Sequence, residues 1–485
     1  MEKNFAYLKA IEGFAQYWHQ ENADAQPVCN TPRKHPYRSV FACDRDRVMY
    51  CSAFRRLSSK TQIFNSQTGD NLRTRLTHTL EVAQIARTIA CQLGLDEELT
   101  EAIALGHDVG HTPFGHVGER TINLFSNGGD KRQKADGLAI KPTYRGFKHN
   151  LQSVRVLVEY SENVKFSNFM LFGVGEHSRR YWKNPEDVVF YKPYENYCSY
   201  QNETRCVPAW SFEAYLVKWA DEVAQRHHDI EDAYLQKIMS VPDIIAKLEP
   251  LSNGIQDKES NRKFERLKEE AGKIVDKAQQ NSFAHTLSSF LVDSYVTILI
   301  EEFQNILNYF SNTYDIHSEE DFQNKYLEIP VEEVREKMEL KDTEIYKIDK
   351  KLGKSLKYSI LDSYEVQRMD GKGAYTIRKL IRAYLSNPQQ LPNEYVNRFI
   401  KIEIDRSLDA DERKNFPSKL KKAIGEDYTQ NISSWKDYQC REALRAITND
   451  DEMFCSVYSE LARTVFDYIA GMTDSYATTQ KIELY

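Results

Sequence analysis

Apolar residues along this chain recur at intervals of three and four, and stretches that alternate apolar with polar residues are scarce. A repeat near 3.6 lines one face of a helix, whereas a half-buried strand needs period two. The chain is therefore expected to be all-α, predominantly helical with at most short strands. Thr77 to Leu93 predicts one helix, with Val82, Ile85, Ala86, Ile89 and Leu93 in a stripe, His78 in the first turn and Gly94 as the stop. Asp96 is a good N-cap for the next, which carries Leu99, Ile103 and His107 on one face until Gly110 and Pro113 interrupt it. His107 should accordingly point inward. A third helix follows Asn150, with Leu151, Val154, Leu157 and Val158 inward, and a fourth runs from about Phe212 to Tyr234. On that fourth helix Asp221, Gln225 and Asp229 stand at i, i+4 and i+8, three polar side chains along one face that a groove could use.

The length of 485 residues suffices for deep pockets and about two to four domains. Pro, Gly, Ser and Asn cluster at 249–258, and we place the main boundary there: an N-terminal arm at 1–40, a core at 41–248 and a C-terminal helical region at 249–485. The stretch from Arg179 to Pro208 reads as a long loop or lid. With 28% charged residues, no spanning segment and an N-terminus unlike a secretory signal, the chain is expected to be cytoplasmic, with no membrane role. Eight cysteines are scattered without a C-x-x-C pair and read as reduced thiols. A net charge of -7 argues against a nucleic-acid-coating protein. Arg45, Arg47, Arg55, Arg56 and Lys60 nevertheless form a local basic run, which reads equally as a phosphate site or as a helix face with salt-bridge partners. The absence of a G-x-x-x-x-G-K-[ST] loop argues against P-loop chemistry.

Chemistry concentrates between His107 and Glu119, in the run HDVGHTPFGHVGE. Three histidines and two carboxylates in so short a stretch exceed what packing requires, and they match the ligand chemistry of a transition-metal or catalytic site. His107 and Asp108 lie at a helix end, where neighbouring side chains can turn toward one ion.

Several blocks resemble bacterial deoxyguanosinetriphosphate triphosphohydrolases of the HD-domain superfamily. Arg75-Leu76-Thr77-His78, His107 to His116, and Ala220-Asp221-Glu222 look like that family's metal motifs. Phe54-Arg55-Arg56-Leu57 with Lys60-Thr61-Gln62, then Gly146 to Asn150, and finally Asp467-Tyr468-Ile469-Ala470-Gly471-Met472-Thr473-Asp474 resemble further blocks in the same order. The resemblance implies that residues 41–248 form an HD-domain helical core and that 249–485 completes the pocket and makes oligomer contacts.

By this resemblance His78, His107, Asp108 and Asp221 hold one divalent metal ion per active site. Its chemistry suits manganese first, with iron, cobalt or zinc next and magnesium serving with the substrate phosphates. The reaction implied is metal-activated attack of water at the α-phosphate of dGTP, releasing deoxyguanosine and triphosphate. His116 is implied as the acid for the 5′-oxygen, with Glu119 tuning its imidazole; the plain alternative is that the two merely close a loop. His111 and His149 would contact phosphate or extend the metal site, and Arg56 and Arg75 would contact phosphate or pair at the surface. Gln62 and Asp229 are the implied sugar readers, although Gln62 reads equally as a buried structural residue, and Gln225 stands where the family often carries a tyrosine. The segment Ile469 to Thr473 is expected to close the core. The family also implies a homo-oligomer such as a hexamer and, in some members, a single-stranded DNA or nucleotide effector. Rival readings are another HD-domain nucleotidase or phosphodiesterase, and a catalytically silent sensor of nucleotide or nucleic acid.

Overall fold

The computed structural model describes residues 4–19, 28–62, 73–129, 140–161, 164–179, 192–202, 205–254, 258–404, 416, 420, 424 and 432–485. Among these the chain is helical almost throughout. Its sheets are two antiparallel pairs of three-residue strands, β1 (Tyr17–His19) with β2 (Val28–Asn30) and β3 (Ser199–Gln201) with β4 (Cys206–Pro208).

In the motif-bearing half we single out α1 (Val40–Tyr50), α2 (Arg75–Leu93), α3 (Glu97–Gly106), α4 (Gly115–Ser126), α5 (His149–Glu159), α6 (Asn168–Glu176) and α7 (Phe212–Leu235). Local chemistry sets their ends. The Thr74 and Thr77 hydroxyls cap α2 reciprocally, and Gly94 ends it in the left-handed conformation at φ 76°. The Asp96 carboxylate accepts from Leu99 N at 2.7 Å and starts α3. Val82, Ile85, Ala86, Ile89 and Leu93 are all buried as the stripe predicts, each large side chain contributing roughly 1.5–3 kcal/mol relative to exposure. α2 packs on α3 and α7, and α6 lies against α3, α5 and α7. The region from 179 to 208, expected as a loop, contains a helix at Lys192–Tyr197 and the β3–β4 pair; residues 180–191 lie outside the described residues. Its tyrosines are the reason: Tyr194 is buried in the core and Tyr200 stacks on Phe14 at 4.5 Å.

In the second half we single out α8 (Lys277–Thr313), α9 (Glu344–Leu356), α10 (Tyr364–Ser386), α11 (Asp451–Ala470) and α12 (Asp474–Leu484). By length and composition α8 could cross a membrane. Its apolar residues are nevertheless used internally: Phe283, Leu287, Phe290, Leu291, Leu299, Phe303 and Phe310 are all fully buried. Buried apolar side chains form two clusters. One runs from Phe5 to Val366 and joins Leu248 and Leu251 to Phe264 and Leu267 across the Pro- and Gly-containing stretch. The other unites Ile122, Phe125, Ile140 and Phe147 with residues between Ile377 and Ala477. Ile469, Ala470 and Met472 belong to it, so this segment closes a core as expected.

Two members of the basic run are ion-paired: Arg47 meets Asp44 at 2.9 Å, and Arg45 meets Asp46 at 3.0 Å and Glu101 at 3.5 Å. Lys60 is buried and donates to the carbonyls of His111 and Ala470. Burial pushes its ammonium down to about 7.

The N-terminal segment is held on the core by Glu213. This buried carboxyl accepts from Ala10 N at 3.1 Å and Asp96 N at 2.9 Å through one oxygen, while the other has no partner. Burial raises it to about 7 from an ordinary 4.5. The folded protein therefore keeps a proton that the unfolded chain loses first, so this group's contribution to stability falls as pH rises from about 4.5 to about 7. Glu213→Gln should flatten that slope: its melting temperature should gain on the wild type between pH 5 and pH 8. Parallel curves across that range would show that Glu213 is ionised in the folded state.

Candidate active site

α3 ends at Gly106, and the next residues turn sharply against α5. Gly110 makes this possible, since a Cβ there would lie 2.1 Å from Ser153 N. The Ser153 hydroxyl donates to His107 O at 2.6 Å and accepts from Gly110 N at 2.9 Å, clamping the turn to α5. The chain then enters α4 through Phe114 at φ 61°, a conformation that costs an L residue roughly 1–2 kcal/mol. Asp474, at the start of α12, holds it by accepting from Phe114 N at 2.9 Å, and also binds Thr61 N at 2.9 Å. His116 thereby stands in the first turn of α4.

Around this turn the structure gathers His78, His107, Asp108 and Asp221. His78 Nε2 lies 3.0 Å from Asp221 Oδ1, and His107 Nε2 lies 3.8 Å from that oxygen and 3.5 Å from Asp108 Oδ1. His107 donates Nδ1–H to Ala104 O at 2.6 Å, which leaves Nε2 as a buried nitrogen without a hydrogen-bond partner. An orphaned imidazole nitrogen between two carboxylates fits a cation. Outside these four, His228 faces His78 Nδ1 at 3.2 Å and in turn binds Glu81, fixing the ring from behind. His227 and Glu81 also come together with His228. That group serves Arg73, which bonds Glu231 at 2.7 Å and meets Asp232 and Glu81 at 3.3 Å, joining the start of α2 to α7.

Arg75 is buried and bonds Asp108 Oδ2 at 2.6 Å. Burial opposes ionisation of Asp108, but His111, His107 and Arg75 outweigh it and hold the carboxyl well below its ordinary range. Asp221 is lowered likewise, burial being overcome by the hydrogen bond from His78 and the charge of His107.

Beside this cluster, Glu119 is fully buried and gathers donors. It accepts from His116 Nδ1 at 3.1 Å, His149 N at 2.9 Å and His149 Nδ1 at 3.0 Å, with Lys148 Nζ at 3.6 Å. Desolvation would raise its pKa, yet these neighbours, His149 foremost, keep it well below the usual range. The His116 side chain is 54% exposed, so the ring touches both the buried carboxylate and open space. That is the arrangement a general acid needs. His111 stacks on His149 with centroids 4.1 Å apart.

All of this opens on a cavity of about 550 Å³. Of the residues expected from sequence, Gln62, Arg75, His78, Asp108, His111, His116, His149, Asp221 and Gln225 line it. His107 and Glu119 stand directly behind. Arg56 and Asp229 are not in the wall. Arg56 bonds Ser52 at 3.2 Å, and Asp229 is buried, its carboxyl raised to about 8 by desolvation. The Gln62 side-chain oxygen is buried and has no partner.

Sequence reasoning missed His177, which follows α6 and lines the cavity, and the face of α9 that presents Tyr346, Lys350 and Lys354. Burial, with His107 and His149 adding, pushes His177 down to about 3. A signal existed in each case. His177, like His107, directly follows an apolar helix, and Tyr346, Lys350 and Lys354 repeat the i, i+4, i+8 spacing of the polar residues on α7. Lys148, Arg179 and Lys218 add further cations to the wall.

Residues 75–226 match the HD domain family, and residues 442–482 match the phosphohydrolase-associated domain. A deoxyguanosinetriphosphate triphosphohydrolase-like protein of Geobacter sulfurreducens is 30% identical over 374 residues, 75% of this chain and 83% of the relative. One from Nitrosomonas europaea is 32% identical over 368 residues, 75% of this chain and 84% of the relative. One from Geobacter metallireducens is 42% identical over 204 residues, 40% of this chain and 45% of the relative, so that match spans less than half of its length. Fold and site together define an HD-domain phosphohydrolase. More narrowly, the chain belongs to the family of deoxyguanosinetriphosphate triphosphohydrolase-like proteins.

The Arg75–Asp108 pair yields a test of the electrostatics. Arg75→Met leaves a buried carboxylate short of its strongest hydrogen bond, so urea unfolding in the presence of chelator should show a loss of roughly 3–5 kcal/mol. A loss below about 1 kcal/mol would mean that the surrounding histidines alone compensate Asp108.

Proposed function

We propose that this protein is a deoxynucleoside triphosphate triphosphohydrolase that converts dGTP and water to deoxyguanosine and triphosphate. The observation that carries this reading is the half-exposed His116, backed by buried Glu119, standing over the same cavity as the His78, His107, Asp108 and Asp221 cluster. Those four would hold a divalent ion, manganese first. When bound, such an ion supplies Lewis acidity toward phosphoryl oxygens and lowers the pKa of water.

The chain's own residues account for the rest. Cutting at the α-phosphate breaks the bond to the 5′-oxygen, a poor leaving group unless protonated. His116, with Nδ1 bound to Glu119, delivers that proton from its other nitrogen, and the carboxylate stabilises the charged ring. Arg75 and Lys148, with the cations of α9 and α7, line the space for the triphosphate and offset its charge, while His111, held neutral by burial, lines it as a hydrogen-bonding ring. Arg75 is held by Asp108 and so meets phosphate in a set orientation. The unpartnered Gln62 oxygen suits the 3′-hydroxyl of a deoxyribose, a group that would supply the missing donor. Base choice is carried by the family likeness alone, and guanine is our first expectation.

Product analysis by anion exchange, with dGTP and manganese, tests this directly. Deoxyguanosine and intact triphosphate should form, with GTP a poor substrate. His116→Ala should lower the rate about 10²- to 10⁴-fold while metal content stays unchanged. Formation of dGMP or dGDP would place the chain among other HD-domain phosphohydrolases, and no turnover would favour a sensor.

A further inference from the structure

The two helices that supply His78 and Asp221 each carry a second polar residue on the same face. Glu81 stands three residues after His78 on α2, and His228 stands seven after Asp221 on α7; on a helix both spacings return to one side. Because α2 and α7 pack together, the four side chains form one continuous row. His228 is buried, its Nδ1 lies 3.2 Å from His78 Nδ1, and its Nε2 meets Glu81 Oε2. At the other end of the row, His78 Nε2 lies 3.0 Å from Asp221 Oδ1.

The chemistry of the end groups sets the direction of each hydrogen along this row. Glu81, beside the Arg73 guanidinium at 3.3 Å, is a carboxylate and only accepts, so the His228 Nε2 hydrogen points at it. The neutral His228 ring then carries its lone pair on Nδ1 and accepts from His78 Nδ1–H. That leaves the His78 lone pair on Nε2, on the side of His107 and Asp221, as ligation of a cation requires.

The far end of the row is no cation site of its own, although ligand atoms of Glu81, His227 and His228 come within 4.8 Å of one another. Arg73 lies 3.2 Å from His227 Nε2 and 2.7 Å from Glu231, so a fixed positive charge already fills that space. Neither Glu81 nor His228 lines the cavity. Any effect they have on the site therefore passes through His78.

We propose that His228 and Glu81 are positioning residues that set the affinity of the site for its cation: the Glu81 charge, relayed through two rings, makes His78 Nε2 a stronger electron-pair donor and fixes its ring in the orientation that ligation uses. The inference rests on reading the His78 cluster as a metal site.

Manganese titration of the full chain, followed through the electron paramagnetic resonance of the free ion, tests this without turnover. His228→Leu keeps much of the bulk of the ring and leaves Glu81 paired with Arg73, so the chain should fold; its manganese affinity should fall about 10- to 100-fold. His228→Gln can still accept from His78 and donate to Glu81, and it should recover most of that loss. Glu81→Gln keeps an acceptor for His228 but removes the charge, and should lose less affinity than the leucine variant. The visible spectrum of the cobalt-loaded protein should shift in His228→Leu and return in His228→Gln, a pattern that space-filling alone does not produce. Wild-type affinity in His228→Leu, or equal losses in the leucine and glutamine variants, would overturn the proposal and leave the metal site standing. A wild type that binds no manganese would overturn both. Should the leucine variant not fold, Glu81→Gln decides, and an affinity equal to that of the wild type would sink the relay.

Discussion

A carboxylate taken out of water must be matched by donors, or it destabilises the fold by several kcal/mol. Several buried carboxylates carry this constraint among the described residues, and four of them tie together segments far apart in the chain. Asp108 binds Arg75, and Glu119 binds His116 and His149. Asp467 accepts from Arg155 at 2.8 Å, Tyr160 at 2.9 Å and Gln152 at 3.0 Å. Asp474 joins Thr61 to Phe114. Apolar packing alone tolerates small slides and rotations of helices, but these bonds do not. The position of α4 relative to α2, α5 and α12 is therefore fixed by charge matching, with the two apolar clusters filling in around it.

The same logic orients the rings of the site. Imidazoles present a defined nitrogen only if the other nitrogen is engaged, and the fold engages each from behind. Helix-terminal carbonyls hold His107 and His177, His228 holds His78, and Glu119 holds both His116 and His149. The opposite ring nitrogens are thus held in set geometries, and little reorganisation is left for a binding event.

Much of this was legible in the sequence. The apolar periodicity of α2, α3, α5 and α7 located those helices to within a few residues, because burial of one stripe is what makes them helical. The density of His and Asp between 107 and 119 marked the chemical centre, since packing has no use for such a cluster. His78 and Asp221 could be joined to it only through family resemblance, as nothing local brings residues 78, 107 and 221 together. His177 was passed over because a single histidine after an apolar helix looks like an ordinary buried residue; its meaning lies in the facing ring of His149, a tertiary fact. The place of Lys350 and Lys354 in the cavity wall is likewise a tertiary fact. Asp229 shares its helix face with Asp221, but two turns along that face the wall of the cavity has already ended.

The Asp474 contact also bears on how the molecule comes into being. Its partner Thr61 lies 413 positions earlier in the chain. At synthesis rates of about 5–20 residues per second, roughly 20–80 s separate the appearance of the two residues. Until then the turn that presents His116 lacks the bond that holds Phe114 in its left-handed conformation. Helices α1 to α7 have time to collapse around their apolar cluster on the ribosome, while the turn that presents His116 waits for Asp474, 360 positions after Phe114. A growing chain would therefore hold His78, His107, Asp108 and Asp221 long before it could position His116, and the complete site would arrive late and all at once.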